Sequence, residues 1–274
     1  MTPKKLIFLL LIIFSTISFI RLLILTSITS DPIPTPPPPP PLSSRNHLRS
    51  SNPQTPKPPP PTPPSSDSDP FSPKELLLLQ TLISTRSPRN ILFFGITPQL
   101  LDLAMSNAAG HTIIFLVNEE FEEFDRVRAR GIEGIGIYYI ECEVMAKQAY
   151  ELLEYARVTP ACRPNDGPTY ESRCRLALRG LPEIVNKVRW DVVVVDGPGR
   201  GGGPEEPGRM AAIYTAALLA RAGNSTDVLV HNVDRTIEKW YSWEFLCSEN
   251  LISSKGRLWH FRIRGRSNSG RFCS

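Results

Sequence analysis

From residue 72 onward, short unbroken apolar runs alternate with longer stretches in which apolar residues recur at helical spacing. Val192 to Val195 is four β-branched residues in a row, the mark of a strand buried on both faces. Asn90 to Gly95, Thr112 to Val117, Ile135 to Ile140 and Thr226 to His231 read as strands too, and Arg257 to Ile263 as a closing antiparallel one. Between them, Ser72-Pro73-Lys74-Glu75 opens a helix whose apolar face is Leu76 to Leu79 and Leu82. Pro98 to Ser106 is a short helix with Leu100, Leu101, Leu103 and Met105 inward. The acidic group Glu119, Glu120, Glu122 and Glu123 suits the start of the next helix. Glu143 to Arg157 and Pro207 to Ala222 complete the set. This alternation predicts an α/β fold, a mostly parallel sheet with helices on both faces, in one domain spanning residues 74–274.

The residues before it follow another pattern. Lys4 and Lys5 precede an uncharged apolar run from Leu6 to Ile20, which Leu22 to Leu25 continue beyond Arg21. About 20 apolar residues span a bilayer as a helix, and the two lysines put the N-terminus on the cytoplasmic side. Residues 1–30 are therefore expected to be a cytoplasmic tip and an uncleaved transmembrane signal anchor. A cleaved signal peptide is the rival, but no convincing small-x-small site follows the run. Residues 31–73 carry most of the chain's 28 prolines, with runs at Pro36 to Pro41 and Pro58 to Pro61. Such a segment builds no core and favours polyproline II, so it reads as a disordered stalk.

The net charge of +4 is small, and part of the arginine excess sits near the C-terminus, at Arg257, Arg262, Arg264, Arg266 and Arg271. No zinc-finger spacing or aromatic RNA-binding motif accompanies it, so nucleic acid is not an expected partner. Of five cysteines, Cys162 and Cys174 bracket a loop they could close, and Cys247 and Cys273 could tie the last helix to the tail. Cys142 is left as a buried small hydrophobe. The cysteine spacings do not suit zinc, so no metal is expected. Asn224-Ser225-Thr226 is an N-glycosylation sequon in a helix-to-strand loop, making Asn224 a candidate glycan carrier.

Chemistry concentrates where strands end. Asp196 follows Val195 and leads into Gly197-Pro198 and a glycine-rich loop. Ligands of open α/β sheets bind outside the carboxyl ends of the strands, which makes Asp196 the first functional candidate. A carboxylate that merely starts a turn is the plain alternative. A nucleotide-like cofactor would lie over the ends of the first, second and fourth strands. Neither a Walker A lysine motif nor Gly-x-Gly-x-x-Gly follows the first strand, which argues against NTPase and dinucleotide readings. A strand ending in Gly95 is compatible with S-adenosylmethionine (SAM).

Pro207-Gly208-Arg209-Met210 and the following Ala211-Ala212-Ile213-Tyr214-Thr215-Ala216 resemble the plant DUF579 family. So do Val230-His231, Asp234-Arg235, Glu244-Phe245-Leu246-Cys247, Gly256-Arg257-Leu258-Trp259-His260-Phe261 and Phe272-Cys273. That family contains glucuronoxylan 4-O-methyltransferases, arabinogalactan glucuronic acid methyltransferases and irregular-xylem proteins. The resemblance covers roughly Pro88 to Cys273 and implies a SAM-dependent methyltransferase-like, Rossmann-like fold. It further implies a single-pass type II Golgi membrane protein, with its C-terminal domain lumenal, acting on cell-wall polysaccharide. The Cys162/Cys174 spacing also fits the family. Methyltransferase members carry Gly-Leu-Gly-His-Asp after the first strand, where this chain has Gly95-Ile96-Thr97-Pro98-Gln99. Their second strand ends Glu-Glu-Asp against Leu116-Val117-Asn118 here, and their Val-His-Asp is Val230-His231-Asn232.

The reaction implied is transfer of the SAM methyl group to a sugar hydroxyl, such as O4 of glucuronic acid on xylan, in a protein of xylan biosynthesis. His231 is the expected base and Asp196 its orienter or a substrate contact. Arg209 and Arg235 would pair the uronic carboxylate of an acidic polysaccharide acceptor, glucuronoxylan or arabinogalactan. Structural ion pairs with Glu205, Glu206 or Glu238 are the alternative for both arginines. Gly95, Thr97, Glu119 and Asp196 are the candidate cofactor contacts, with Glu119 or Glu120 standing in for the ribose-binding carboxylate. A non-catalytic scaffold or polysaccharide-binding role that has lost SAM binding is the rival function.

Overall fold

A computed structural model of the chain describes residues 70–85, 88–107, 110–117, 134–164, 172–198, 203–265 and 270–273. The expected membrane anchor, all but the last residues of the proline-rich stalk, and the acidic group at 119–123 lie outside these described residues. Among them, no helix is long and apolar enough to cross a membrane.

The strands are β1 (Ile91–Phe94), β2 (Thr112–Val117), β3 (Ile135–Ile140), β4 (Val192–Val195), β5 (Ser225–Val230), β6 (Leu251–Lys255) and β7 (Leu258–Arg264). They form one sheet in the order β3-β2-β1-β4-β5-β7-β6. The first five pair in parallel, and β7 runs antiparallel to both β5 and β6. The chain reverses its direction of growth between β1 and β4, as in a Rossmann-like sheet, and that crevice is where such sheets bind ligands.

Side-chain alternation divides the interior in two. Ile91, Phe93, Val192, Val194 and Leu229 pack beneath α1 (Pro73–Ser84) and α2 (Pro98–Ser106). Leu92, Phe94, Val193, Val195, Val228 and Val230 face α3 (Ala149–Val158), α5 (Met210–Ala222) and α6 (Thr236–Phe245). Helix α5 is alanine-rich and buried from Met210 to Ala220, because it lies between the sheet and α6. A short α4 (Glu183–Lys187) precedes β4 and is pinned by the Trp190 indole N–H donating to Val185 O.

Several expectations shift. Met105 is 43% exposed and Leu77 62% exposed, so α1 turns in Leu79 and Ile83 instead of a continuous leucine run. Helix α3 starts at Ala149, not Glu143, because the preceding residues pair with the segment before α5. Ala146 N donates to Glu206 O, Lys147 N to Pro204 O and Gly208 N to Val144 O. The same pairing delays α5 from Pro207 to Met210. The domain begins earlier than residue 74, since Phe71 is 4% exposed and packs inside it.

Cys162 is joined to Cys174 and Cys247 to Cys273. Cys142 is a buried thiol whose pKa burial pushes up. The half-buried Arg221 guanidinium of α5 donates to Phe245 O and lies 4.8 Å over the Phe272 ring, holding the tail where the second disulfide ends. Burial pulls its pKa down to about 10.

Candidate functional site

At the carboxyl edge, β1 and β4 end in backbone contact. Asp196 N and Gly197 N both donate to Phe94 O, at 2.8 and 2.6 Å. Gly95 has φ +100°, and a Cβ there would lie 2.6 Å from Gly197 N. Only glycine satisfies both the dihedral and the approach. Gly197–Pro198 is a cis peptide.

Asp196 and His231 end neighbouring strands on the α1/α2 face, and the structure brings them together. His231 Nδ1 is 2.8 Å from Asp196 Oδ1. Arg209 joins them from the residue before α5. Its Nη1 donates to His231 O at 2.8 Å, its Nε to Pro198 O at 3.3 Å, and its Nη2 to Asp196 Oδ1 at 3.5 Å. Glu238 of α6 lies 3.8 Å from the same guanidinium. Arg209 is 2% exposed, so this charge is spent inside the protein. Burial pushes the Glu238 carboxyl above its ordinary pKa, against the pull of Arg209.

One member was invisible in the sequence. Glu75 reads locally as the third residue of a helix-capping box, and its Oε2 does accept Ser72 N at 2.6 Å. Yet Glu75 is 1% exposed. Its Oε1 accepts Arg257 N at 2.6 Å from the β6–β7 turn, and its Oε2 lies 3.7 Å from His231 Nε2. Phe71 stacks on the His231 ring with centroids 4.2 Å apart. The Gln99 side chain in turn holds both backbone groups of Phe71. His231 is thus fully enclosed, and its Nε2 faces Glu75 instead of a cavity.

The other candidates divide. Arg235 is half-buried and lines a cavity of about 310 Å³ with Pro198, Gly208, Arg209 and Glu238. Thr97 is the cap of α2, its hydroxyl accepting Leu100 N, so that oxygen is engaged locally. Glu119 lies outside the described residues. Asn224 is exposed at the start of β5, while the sequon's Thr226 hydroxyl donates to Trp190 O. Asn232 is buried at φ +60°, a left-handed conformation that asparagine tolerates better than most residues. A larger cavity of about 500 Å³ opens beyond β3, where Glu141, Glu143, Gln148, Leu178 and Arg179 line it. Neither Asp196 nor Arg235 is among its lining residues. Met145 and Pro207 form an isolated antiparallel bridge, and Val144 beside it lines the larger cavity while Ala146 and Pro207 line the smaller.

A second charged cluster lies further back along β5. Asp227 Oδ1 is 2.9 Å from His260 Nε2 and accepts Arg262 Nε at 2.8 Å. For both Asp227 and Glu75 burial raises the pKa, but hydrogen bonds from His260 and Arg262 in the first case, and from Ser72 and the Arg257 backbone in the second, outweigh it. Both end below their ordinary values of 3.8 and 4.5. A depressed carboxylate contributes stability that is complete above the unfolded-state pKa and is lost as pH falls through the folded one. Glu238 acts in the opposite sense. The urea midpoint is therefore expected to fall steeply between about pH 5 and about pH 3, and Asp227→Asn should flatten that fall. An unchanged slope in the variant would remove Asp227 from the account.

A Rossmann-like α/β domain with a buried charge network and two cavities at its carboxyl edge is the class that fold and site define. The IRX15/IRX15L/GXM family profile matches residues 74–261. The chain belongs to that family. Glucuronoxylan 4-O-methyltransferase 2 of Arabidopsis thaliana is 36% identical over 192 residues, which cover 69% of this chain and 64% of that protein. Arabinogalactan O-methyltransferase 2 of the same plant is 33% identical over 210 residues, covering 73% and 71%. The chain thus spans less than two thirds of the first relative's length. Among solved structures, a methyltransferase-like protein from Silicibacter pomeroyi matches at TM-score 0.40 and 14% identity, over 72% of this chain and 88% of that one.

Proposed function

We propose that the domain moves the methyl group of SAM to a hydroxyl of glucuronic acid on an acidic cell-wall polysaccharide, glucuronoxylan or arabinogalactan. The observation that carries this is the junction of Asp196, Arg209 and the cavity holding Arg235, at the ends of β4 and β5, in a chain 36% identical to a glucuronoxylan 4-O-methyltransferase.

Burial changes the expected division of roles. His231 has no exposed surface, whereas Asp196 keeps 8% of its own. Asp196 is therefore the proton acceptor, and His231 orients it. A carboxylate is a weak base, and a weak base suffices here. As the sugar oxygen bonds to carbon it becomes an oxonium and sheds its proton readily, and that proton passes to Asp196. Arg209 is committed to Asp196 and two carbonyls, which leaves Arg235 as the group that pairs the uronate.

The residues present fit SAM. A cavity of about 500 Å³ lies in the usual range for small-molecule sites. It offers apolar walls at Ile140 and Leu178 with Glu141 and Glu143 to accept from ribose hydroxyls and the adenine amine. When bound, SAM supplies an electrophilic methyl whose bond to sulfur breaks with its electron pair staying on sulfur. Two disulfides, an exposed sequon asparagine and the apolar N-terminal run support a single-pass Golgi membrane protein with this domain lumenal.

Calorimetry of the full-length chain with SAM tests the reading: saturable binding is expected. No heat at millimolar cofactor would sink it and leave polysaccharide binding as the role. Methyl transfer to unmethylated glucuronoxylan and arabinogalactan then identifies the acceptor. Arg235→Ala should raise the acceptor KM by about tenfold, the worth of roughly one exposed charge-assisted contact.

A further inference from the structure

The Glu75, His231 and Asp196 side chains form an unbroken buried line from the first turn of α1 to the carboxyl end of β4. His231 contributes a nitrogen to each end. Nδ1 is 2.8 Å from Asp196 Oδ1, and Nε2 is 3.7 Å from Glu75 Oε2 with no other polar partner among the described residues. A proton on Nδ1 alone would aim the Nε2 lone pair at a buried carboxylate. A proton on both nitrogens turns each N–H toward an anion.

The charges around the ring favour the second arrangement. From α1 comes Glu75, from the end of β4 Asp196, from the start of α5 Arg209, and from α6 Glu238; the β6–β7 turn contributes the Arg257 backbone N–H, and Phe71 the stacked ring. With a neutral His231, the Arg209 guanidinium meets Asp196 and Glu238 while the buried Glu75 carboxylate is held by neutral backbone donors, and uncompensated buried charge is costly. With a cationic His231, Glu75 and Asp196 balance His231 and Arg209.

The site around Glu75 is built for that carboxylate. A Cβ on Gly256 would lie 2.7 Å from Glu75 Oε1, and Gly256 sits at φ +56°. Its missing side chain leaves room for the carboxylate beneath the β6–β7 turn, where Arg257 N grips it.

We propose that Glu75 is a positioning residue for the reaction: it holds His231 as an imidazolium bridging two carboxylates, and through that bridge fixes the Asp196 carboxylate that takes the proton. Seating of the segment at residues 71–75, at the end of the proline-rich stretch, is thereby coupled to assembly of the site. The catalytic half of this statement rests on the proposed methyl transfer. The bridge itself does not.

Glu75→Gln keeps the shape and the acceptor for Arg257 N while removing the charge, and Glu75→Asp keeps the charge on a shorter arm. Both are made in the full-length chain, with histidine ring 15N spectra, SAM affinity and kcat measured on each. The native spectrum at neutral pH should show His231 protonated on both nitrogens, assigned by its loss in His231→Gln. In Glu75→Gln one nitrogen should move to the lone-pair shift, and kcat should fall about tenfold to hundredfold with acceptor KM and SAM affinity unchanged, the cost of a displaced catalytic group. Glu75→Asp should recover part of both. An unchanged His231 spectrum in Glu75→Gln overturns the bridge. A kcat loss accompanied by equal loss of SAM affinity, or a kcat that does not move, overturns the positioning role. If the wild-type chain transfers no methyl group, the proposed reaction fails, while the spectra still decide the bridge.

Discussion

Arg209→Met is expected to destabilise the domain by about 3–5 kcal/mol, the usual cost of breaking a buried ion pair by removing one partner. Arg209 is 2% exposed and faces two carboxyls, Asp196 at 3.5 Å and Glu238 at 3.8 Å. It also satisfies the carbonyls of Pro198 and His231. Methionine fills a similar volume, so the loss is electrostatic and hydrogen-bonding, with little cavity formation. At roughly 2–4 °C per kcal/mol for a domain of this size, the midpoint should drop by about 10 °C. Arg209→Lys should restore only part of this, because an ammonium cannot reproduce the planar fork that reaches four oxygens. A thermal midpoint within about 2 °C of wild type for Arg209→Met would show that the carboxyls find other partners.

Asp196→Asn is expected to cut methyl transfer by about 10²–10⁴-fold, the range of a general base's contribution. The substitution preserves size and leaves an oxygen that can still meet His231. SAM affinity should stay near wild type, since the cavity assigned to the cofactor lies beyond β3 and does not include Asp196. Measuring kcat beside the calorimetric SAM affinity separates the two effects. If the variant keeps more than about a tenth of native kcat, Asp196 is not the proton acceptor.

Much of the scaffold could be read from residue patterns alone. The five parallel strands announce themselves because both faces are buried, which forces unbroken apolar runs such as Val192–Val195. The antiparallel closure by β7 was read from its own run, whereas the order of the strands is a finding of the structure. Strand β6 (Leu251–Lys255) left no such mark, since an edge strand with sequence Leu-Ile-Ser-Ser-Lys is only half buried. Helix α3 was placed too early because nothing local reveals that Val144 to Lys147 pair with a segment some sixty residues away.

The site was legible in part, for a physical reason. Asp196 and His231 sit at strand ends, so a topological rule finds them, and their contact follows from the pairing of β4 with β5. Burial is set by the third dimension and was not foreseeable. It removed His231 from any cavity and committed Arg209 to internal partners. Glu75 had a complete local explanation as a cap, which concealed its reach to Arg257, 182 residues away. Thr97 and Gln99, in the stretch that departs from the methyltransferase members, turn out to cap α2 and to hold Phe71.

The place of Phe71 determines where the domain can be cut. The family match starts at residue 74, but Phe71 and Ser72 already lie inside the fold, against His231 and as the cap of α1. A fragment beginning at 74 would uncover the His231 ring and take away one of the two backbone donors of the Glu75 carboxylate. A fragment beginning at Pro70 keeps both. The choice of a few residues at the end of the proline-rich stretch thus decides whether a fragment carries an assembled site or an open one.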